Sequence, residues 1–408
     1  MKPFVFTGLS PNTRAEDAWL AFKLLFRWQW ENYANDSAKK LQNWFKDYFG
    51  VDHAYAVDSG RAALQLALQA GGIGKDDEVL LQAFTCVVVS NAVTALGAKP
   101  VYVDCGQDYL IDSSKVEALL TPKTKAIVIQ HTFGAAADLK SLMLLAKKYN
   151  LLVVEDCAHS LGESSAGILL GNFGDLAIFS FGSDKVISGV RGGMMIANKN
   201  RPDLGEKLRV LQAKLPRFPF IREFQHLLHP IFFYWGKKTY HLGIGKALLF
   251  FAKKFRLMNR IIDQTEKQGK VPDYFPAQLP ATLAALAYNQ IKNLDAWNKR
   301  RKEIVSFYLK SLKGKNNIQE LGNSNMWLRF PVQVPDPNRF RRLAAVEGVF
   351  LGDWYSTPIA PGDIKLVATG YVPGSCPVAE SLTKGIINLP TDPNLTQADL
   401  DRIISLFS

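Results

Sequence analysis

The stretches LLVVEDCAHSLG, residues 151–162, and LAIFSFGSDKVISGVRGG, residues 176–193, decide the fold. Each opens on an apolar run without polar alternation, the pattern of a strand covered on both faces. Each then breaks abruptly into small and polar residues, Glu155 to His159 in the first and Gly182 to Lys185 in the second. Working outward, HAYAV (53–57), EVLLQ (78–82), KPVYV (99–103), AIVIQ (126–130) and GMMIA (193–197) repeat the strand signal. Between them Arg61 to Ala70, Val87 to Leu96, Ser114 to Leu120 and Leu139 to Tyr149 carry helical spacing. Strands alternating with helices predict an α/β domain built on a mostly parallel sheet. In such a domain ligands sit beyond the carboxyl ends of the strands, so chemistry is sought there.

With 408 residues the chain exceeds what one hydrophobic core organises, so a large domain with a smaller companion is expected. A composition 48% hydrophobic and 21% charged excludes disorder and simple fibrous repeats. Cys86, Cys105, Cys157 and Cys376 are too scattered for a disulfide framework and include no CxxC pair, so reduced thiols, a cytoplasmic setting and no metal are expected. The start carries no secretory pattern, and the greasiest region is broken by Lys237, Lys238, Lys246 and Lys253, so neither export nor a spanning helix is expected.

After Asn200 the alternation stops. Residues 201–270 hold fifteen Lys and Arg against five acids, which accounts for ten of the twelve net positive charges. The rest of the chain is nearly neutral, which excludes a broadly basic nucleic-acid binder. From Pro280 an Ala/Leu-rich helix runs towards Arg300 and Arg301. MWLRFPVQV (326–334) reads as a strand, and RFRRLAAVEG (339–348) and TQADLDRIISLF (396–407) read as helices. The division that follows is a large α/β domain over 1–200, a basic, aromatic-rich insert over 201–272, and a small α+β domain over 273–408.

Five clusters fall at strand ends: DSGRAAL (58–64), QAFTC (82–86), QHTFG (130–134), EDCAHSLG (155–162) and FSFGSDK (179–185). Ser59 and Gly60 open a helix after a strand, which offers backbone N–H groups and a positive dipole end to a phosphate. Walker and dinucleotide glycine patterns are absent. Asp156 emerges at a sheet edge with His159 three residues on; such a carboxylate holds a protonated ring nitrogen, or else merely caps a helix beside a structural histidine. Lys185 follows a buried strand through a short turn, where desolvation frees its amine for Schiff-base chemistry unless it is an ordinary solvated loop lysine.

The succession SGRAAL, DDEVLLQAFTC, GAKPVYVDC, EDCAHSLG and FSFGSDK followed by Gly192-Gly193 resembles the DegT/StrS-type sugar aminotransferases, a branch of the fold type I pyridoxal-phosphate enzymes. RFPVQV, GVFLGDWYSTPI and INLPTDPNLT extend the likeness, less specifically, into the C-terminal part. The resemblance implies pyridoxal 5'-phosphate as cofactor, and a homodimer with sites shared between subunits. It also implies amino transfer, from glutamate, to a nucleotide-linked ketosugar in glycan or lipopolysaccharide-type biosynthesis. Lys185 falls at the Schiff-base position, Asp156 at the pyridinium partner and His159 at the residue meeting the phenolic oxygen. Ser180 and the turn of Ser59, Gly60 and Arg61 fall at the cofactor phosphate. Retention of Lys185 favours transamination over the dehydratase branch, which has histidine there.

Four departures accompany the likeness. Cys86 stands where a ring usually stacks on the cofactor, Arg61 replaces a small hydroxyl residue, and Arg191 replaces a common Glu. Pro276 and Gln278 stand where an Asn and an Arg are usual, the Asn normally reaching the partner subunit's phosphate. A pyridoxal-phosphate-dependent sugar dehydratase or lyase is the alternative that Cys86, Pro276 and Gln278 leave, and a non-catalytic cofactor-binding regulatory or membrane-associated protein is the one that the basic insert leaves. The insert combines Phe232, Phe233, Tyr234, Trp235, Phe250 and Phe251 with Lys237, Lys238, Lys253 and Lys254. It reads as an interface cap, as a lid gripping a nucleotide diphosphate, or as an element resting peripherally on the anionic inner membrane surface.

Overall fold

A computed structural model describes residues 4–8, 10–258, 262–315, 320–321 and 326–407. Two helices, α1 (Ala15–Leu25) and α2 (Arg27–Phe49), lead into β1 (His53–Val57) and α3 (Gly60–Ala70). Then come β2 (Glu78–Gln82), β3 (Thr85–Cys86), α4 (Val87–Thr94), β4 (Lys99–Val103), β5 (Thr124–Gln130), α5 (Leu139–Lys148), β6 (Leu152–Asp156), β7 (Leu176–Ser180) and β8 (Gly193–Ala197). Seven of these strands form one sheet in the order β1-β8-β7-β6-β5-β2-β4, with only β8 antiparallel to its neighbours. The mixed α/β architecture with a mostly parallel sheet is as the sequence predicts. Both faces are covered, which is why the strands carry no polar alternation.

One predicted helix is corrected. Ser114 to Leu120 forms two short 3-10 turns, Ser113–Lys115 and Glu117–Leu119, because Thr121 precedes Pro122 and the chain is already extended at Leu120. The Ala/Leu-rich helix is also interrupted, giving α10 (Ala281–Ile291) and α11 (Leu294–Leu312), once α6 (Pro202–Ala213), α7 (Phe220–Lys238), α8 (Ile244–Lys254) and α9 (Gln264–Lys267) have been passed. The C-terminal part holds a three-stranded antiparallel sheet of β9 (Glu320–Leu321), β10 (Phe330–Gln333) and Ile386–Leu389. The predicted strand over 326–334 is therefore shorter than the apolar run. No helix among the described residues is long and apolar enough to cross a membrane.

The loop that carries Lys185 is fixed from behind by a buried polar knot. Arg301 of α11 donates through Nη2 to Asn12 Oδ1 at 3.0 Å and to the Val186 carbonyl at 2.8 Å. Asn12 in turn donates to the carbonyls of Lys185, at 2.5 Å, and Val186. Gln290 of α10 accepts from the Ser188 N–H at 2.8 Å and donates to Asp17 of α1. A second brace lies under β6. Both oxygens of the buried Glu155 are occupied, by the N–H groups of Gly171, Phe173 and Gly174 and by His131 Nε2 at 3.0 Å. His131 Nδ1 accepts from the Ala137 N–H, so its proton lies on Nε2. Glu155, His131 and Cys157 converge closely enough to hold a metal ion, but the donor atoms of Glu155 and His131 are committed to this brace.

Glu155→Ala leaves three backbone N–H groups buried without acceptors. It is expected to destabilise the protein by about 3 kcal/mol or more. Urea unfolding of parent and variant checks this, and a shift below about 1 kcal/mol would remove Glu155 from the account of stability.

Candidate active site

The parallel register sets Asp156 beside Ile178, so the carboxyl ends of β6 and β7 open side by side on one cavity of about 820 Å³. Ser59, Gly60, Arg61, Cys86, Asp156, His159, Ser180 and Lys185 all line it. Every residue that the sequence nominated for the cofactor is thus brought to one place from four separate strand-end segments. Ser59 caps α3 by accepting from the Ala62 N–H at 3.3 Å, which leaves the N–H groups of Gly60 and Arg61 without intrahelical acceptors. A Cβ on Gly60 would lie 2.8 Å from the Ser180 Cβ, and one on Gly193 would lie 2.5 Å from the Ser59 carbonyl carbon. Glycine at both positions lets the helix start approach Ser180 and β8, forming a cradle of hydroxyl and N–H donors suited to a phosphate.

Lys185 Nζ lies 2.8 Å from His159 Nε2. His159 Nδ1 accepts from the Phe133 N–H at 3.3 Å, so the neutral ring carries its proton on Nε2, the nitrogen that faces the lysine amine. Burial lowers the Lys185 pKa, opposed by the Asp156 charge. Burial also holds His159 well below its ordinary value, reinforced by Lys185 and Arg329. Asp156 is raised by burial, with the Ala158 N–H at 3.0 Å and the Lys185 charge acting the other way. A desolvated amine, a neutral donor ring and a buried carboxylate in one cavity are a donor set that fits pyridoxal phosphate.

The departures acquire partners. Arg191 binds Asp58 Oδ2 through Nε at 3.1 Å and through Nη2, and Asp58 Oδ1 accepts from the Ala277 N–H at 3.0 Å. Arg61 forms a buried ion pair with Glu266 of α9. Gln278 donates to the Leu215 carbonyl at 3.0 Å, which straps the segment around Pro276 onto its own chain. Cys86 sits half-buried on β3, paired with Ala360, and burial pushes its thiol up.

Sequence reasoning missed Trp354 and Tyr355, which line the same cavity from the C-terminal half. Trp354 lies parallel to His159 with ring centroids 5.4 Å apart, and the Lys185 amine is 5.0 Å from the Trp354 centroid. Arg329 covers the Trp354 ring at 3.3 Å. The signal was the adjacent Trp-Tyr in GDWYSTPI, which local pattern alone could not place opposite His159. His226, His229 and Phe233 of α7, with Leu249 and Lys253 of α8, also reach the cavity, so the basic segment forms part of its wall. Lys237 is corrected as a solvent-facing cation: its amine donates to the Ser10 carbonyl at 2.7 Å, and burial lowers its pKa.

This fold, with a lysine, an aspartate and a phosphate cradle at the strand ends, defines a pyridoxal-phosphate-dependent enzyme of the aminotransferase class. The sequence model of the DegT/DnrJ/EryC1/StrS aminotransferase family matches residues 16–217 and 257–408. The chain belongs to that family. It is 29% identical over 369 residues to GDP-perosamine synthase of Caulobacter vibrioides, covering 88% of this chain and 86% of that protein. It is likewise 29% identical over 361 residues to a UDP-N-acetyl-3-dehydro-α-D-glucosamine 3-aminotransferase of Acidithiobacillus ferrooxidans, covering 88% and 84%. The structure of S. venezuelae DesV superposes with a TM-score of 0.73 at 26% identity, covering 100% of this chain and 98% of that one.

Burial pushes His226 down to about 3 and His229 down to about 4, and His159 lies low as well. In the unfolded chain each protonates near pH 6.5, so below that pH the unfolded state binds more protons. Stability therefore falls as pH falls from 6.5, by up to about 1.4 kcal/mol per pH unit for each histidine. The raised carboxyls of Asp17 and Asp156 act in the opposite sense, above their ordinary acid range. Denaturant midpoints between pH 7 and 5.5 check this, and His226→Phe is expected to flatten the slope. A parent slope of zero contradicts it.

Proposed function

We propose that this aminotransferase moves an amino group from glutamate to the keto carbon of a nucleotide-linked sugar, working as a homodimer in the cytoplasm. The observation that carries the reading is the Lys185 amine, desolvated and 2.8 Å from a neutral His159, in the cavity that also exposes Asp156. The relatives act on GDP- and UDP-linked sugars by their names, which supports the acceptor class.

Bound in this cavity, pyridoxal phosphate supplies an electron sink and carries the amino group between donor and acceptor. Lys185 would hold the cofactor and would move a proton at the substrate carbon; its lowered pKa favours an amine able to accept one. Asp156 keeps the proton on the ring nitrogen by a charge-assisted bond. His159 donates from Nε2 to the phenolic oxygen. Ser59, Gly60, Arg61 and Ser180 would receive the phosphate, and Cys86 would line the cavity beside the ring. Glu266 shares Arg61 with that phosphate and so tempers the charge of the cradle.

In this reading the chain divides into a cofactor domain over 1–200, the segment 201–272 and a small domain over 273–408. The family model leaves residues 218–256 unmatched, which supports treating the core of that segment as an insertion. Its rings divide: Phe233 is buried against the cavity, while Trp235, Phe250 and Phe251 are about half exposed. Trp19 and Phe22 of α1, which packs on α7, extend the exposed apolar surface. With Lys238 and Lys246 alongside, this face rests on an anionic membrane surface.

Absorption spectra of the purified holoenzyme before and after glutamate test the reaction. The visible band of the lysine-bound cofactor should disappear and return on adding a keto acid or ketosugar. Lys185→Ala should lose both the borohydride-reducible cofactor and turnover, and retention of both sinks the assignment. Asp156→Asn should still fold and bind cofactor but turn over roughly 10²–10⁴-fold more slowly; undiminished turnover refutes its role. Cosedimentation with anionic vesicles, falling with salt, is expected for the membrane-facing segment, and none at low salt excludes it.

A further inference from the structure

Beyond the cofactor cavity lies a second hollow of about 700 Å³ between α7, the end of α8 and α9. Lys253, Met258 and Gln264 line both, so the two adjoin along a shared wall. Arg222, Lys253, Lys254 and Arg256 face the second hollow, and Asp263 is the only acid among the described residues lining it. Asp263 lies 3.6 Å from Arg222, whose guanidinium is also held 4.0 Å over the Tyr274 ring. Lys253, Lys254 and Arg256 have no acidic partner among the described residues. The turn that presents them is fixed: Arg256 adopts φ +54°, and Gln225 donates to its carbonyl at 2.8 Å.

Several unneutralised cations around one concave surface call for a compact polyanion. The first cavity has the volume of an ordinary small-molecule site, so a cofactor with a hexose would use it up. Lys253, Met258 and Gln264 stand between the two hollows, so a group carried by that hexose reaches the second by passing Lys253. We propose that this hollow is the diphosphate subsite for the sugar substrate, with Lys254, Arg256 and Lys253 as its cations. This rests on the proposed function above and adds where the substrate's charge is read. Lys253, Lys254 and Arg256 lie in the part of the chain that the family model leaves unmatched, so the subsite is a feature of this chain's own insertion. The diphosphate ester has two sources, a nucleoside or a polyprenyl carrier. Ile221, Phe250 and Phe255 are exposed on the same segment and give the second a chemical basis.

The test is calorimetric titration of the pyridoxal-phosphate-loaded enzyme with UDP, with farnesyl diphosphate in neutral micelles, and with uridine. Parent protein, Lys254→Glu/Arg256→Glu and Lys125→Glu are compared, the last being an exposed lysine at the start of β5, the end away from the cavity. The parent should bind at least one diphosphate, more weakly at high salt, and should bind uridine poorly. The double reversal should raise that Kd by about tenfold or more, and Lys125→Glu should leave it unchanged. Loss confined to UDP assigns a nucleotide, loss confined to farnesyl diphosphate a lipid carrier, and loss of both a site that reads the diphosphate itself. Binding equal in parent and double variant, or no binding of either diphosphate to the parent, overturns the subsite. Spectral conversion of the unaltered enzyme by glutamate uses no diphosphate. Its failure counts against the proposed reaction, whereas its success with unchanged diphosphate binding counts against the subsite alone.

Discussion

The parallel pairing of Leu152–Asp156 with Leu176–Ser180 is the constraint on which the site depends. Strand pairing fixes register to one residue, because a one-residue slip turns every side chain to the other face. Here it aligns Asp156 with Ile178, two residues before Ser180 and a short turn before Lys185. The carboxylate and amine therefore share a cavity without either being held by the other. The Arg301 knot behind the lysine loop and the Glu155 brace under β6 fix the two strand ends from opposite sides.

Electrostatics then follows from burial more than from pairing. Desolvation is the largest influence on Asp156, His159 and Lys185 alike, and it pushes each towards its neutral form. An amine whose proton is loosened by burial and a ring held neutral suit the Schiff-base role proposed for Lys185. The cost is acid sensitivity, since the same burial disfavours the imidazolium of three histidines around one cavity.

The basic segment is tied to the site as well as appended to it. His226, His229 and Phe233 form part of the cavity wall, and Glu266, just past the unmatched residues, takes Arg61. The strap at Gln278 and the Asp58–Arg191 pair join the end of β1 to the same region. Three replacements that look like separate losses in the sequence, Arg61, Arg191 and Gln278, thus each meet a partner within the chain. Arg191 with Asp58 is charge-compensated and buried, so neither residue is free to change alone.

The strands at 53–57, 78–82, 99–103 and 193–197 were legible in the sequence because burial on both faces leaves continuous apolar runs. That Lys185, Asp156, His159, Ser59, Gly60 and Ser180 converge on one cavity was legible because strand ends in a parallel sheet are where polar residues can meet, and their order carries the family likeness. Trp354 was not, since its place opposite His159 depends on packing the C-terminal part against the sheet across about two hundred residues of chain. Glu266 with Arg61, and Lys237 with the Ser10 carbonyl, were hidden for the same reason: local pattern shows a charge but not the partner that neutralises it. Composition marked residues 201–270 as anomalous. Only the tertiary structure decided which of its rings turn into the cavity and which face outward, because that division is set by the packing of α7 on α1, α8 and α10 and not by any period in the sequence.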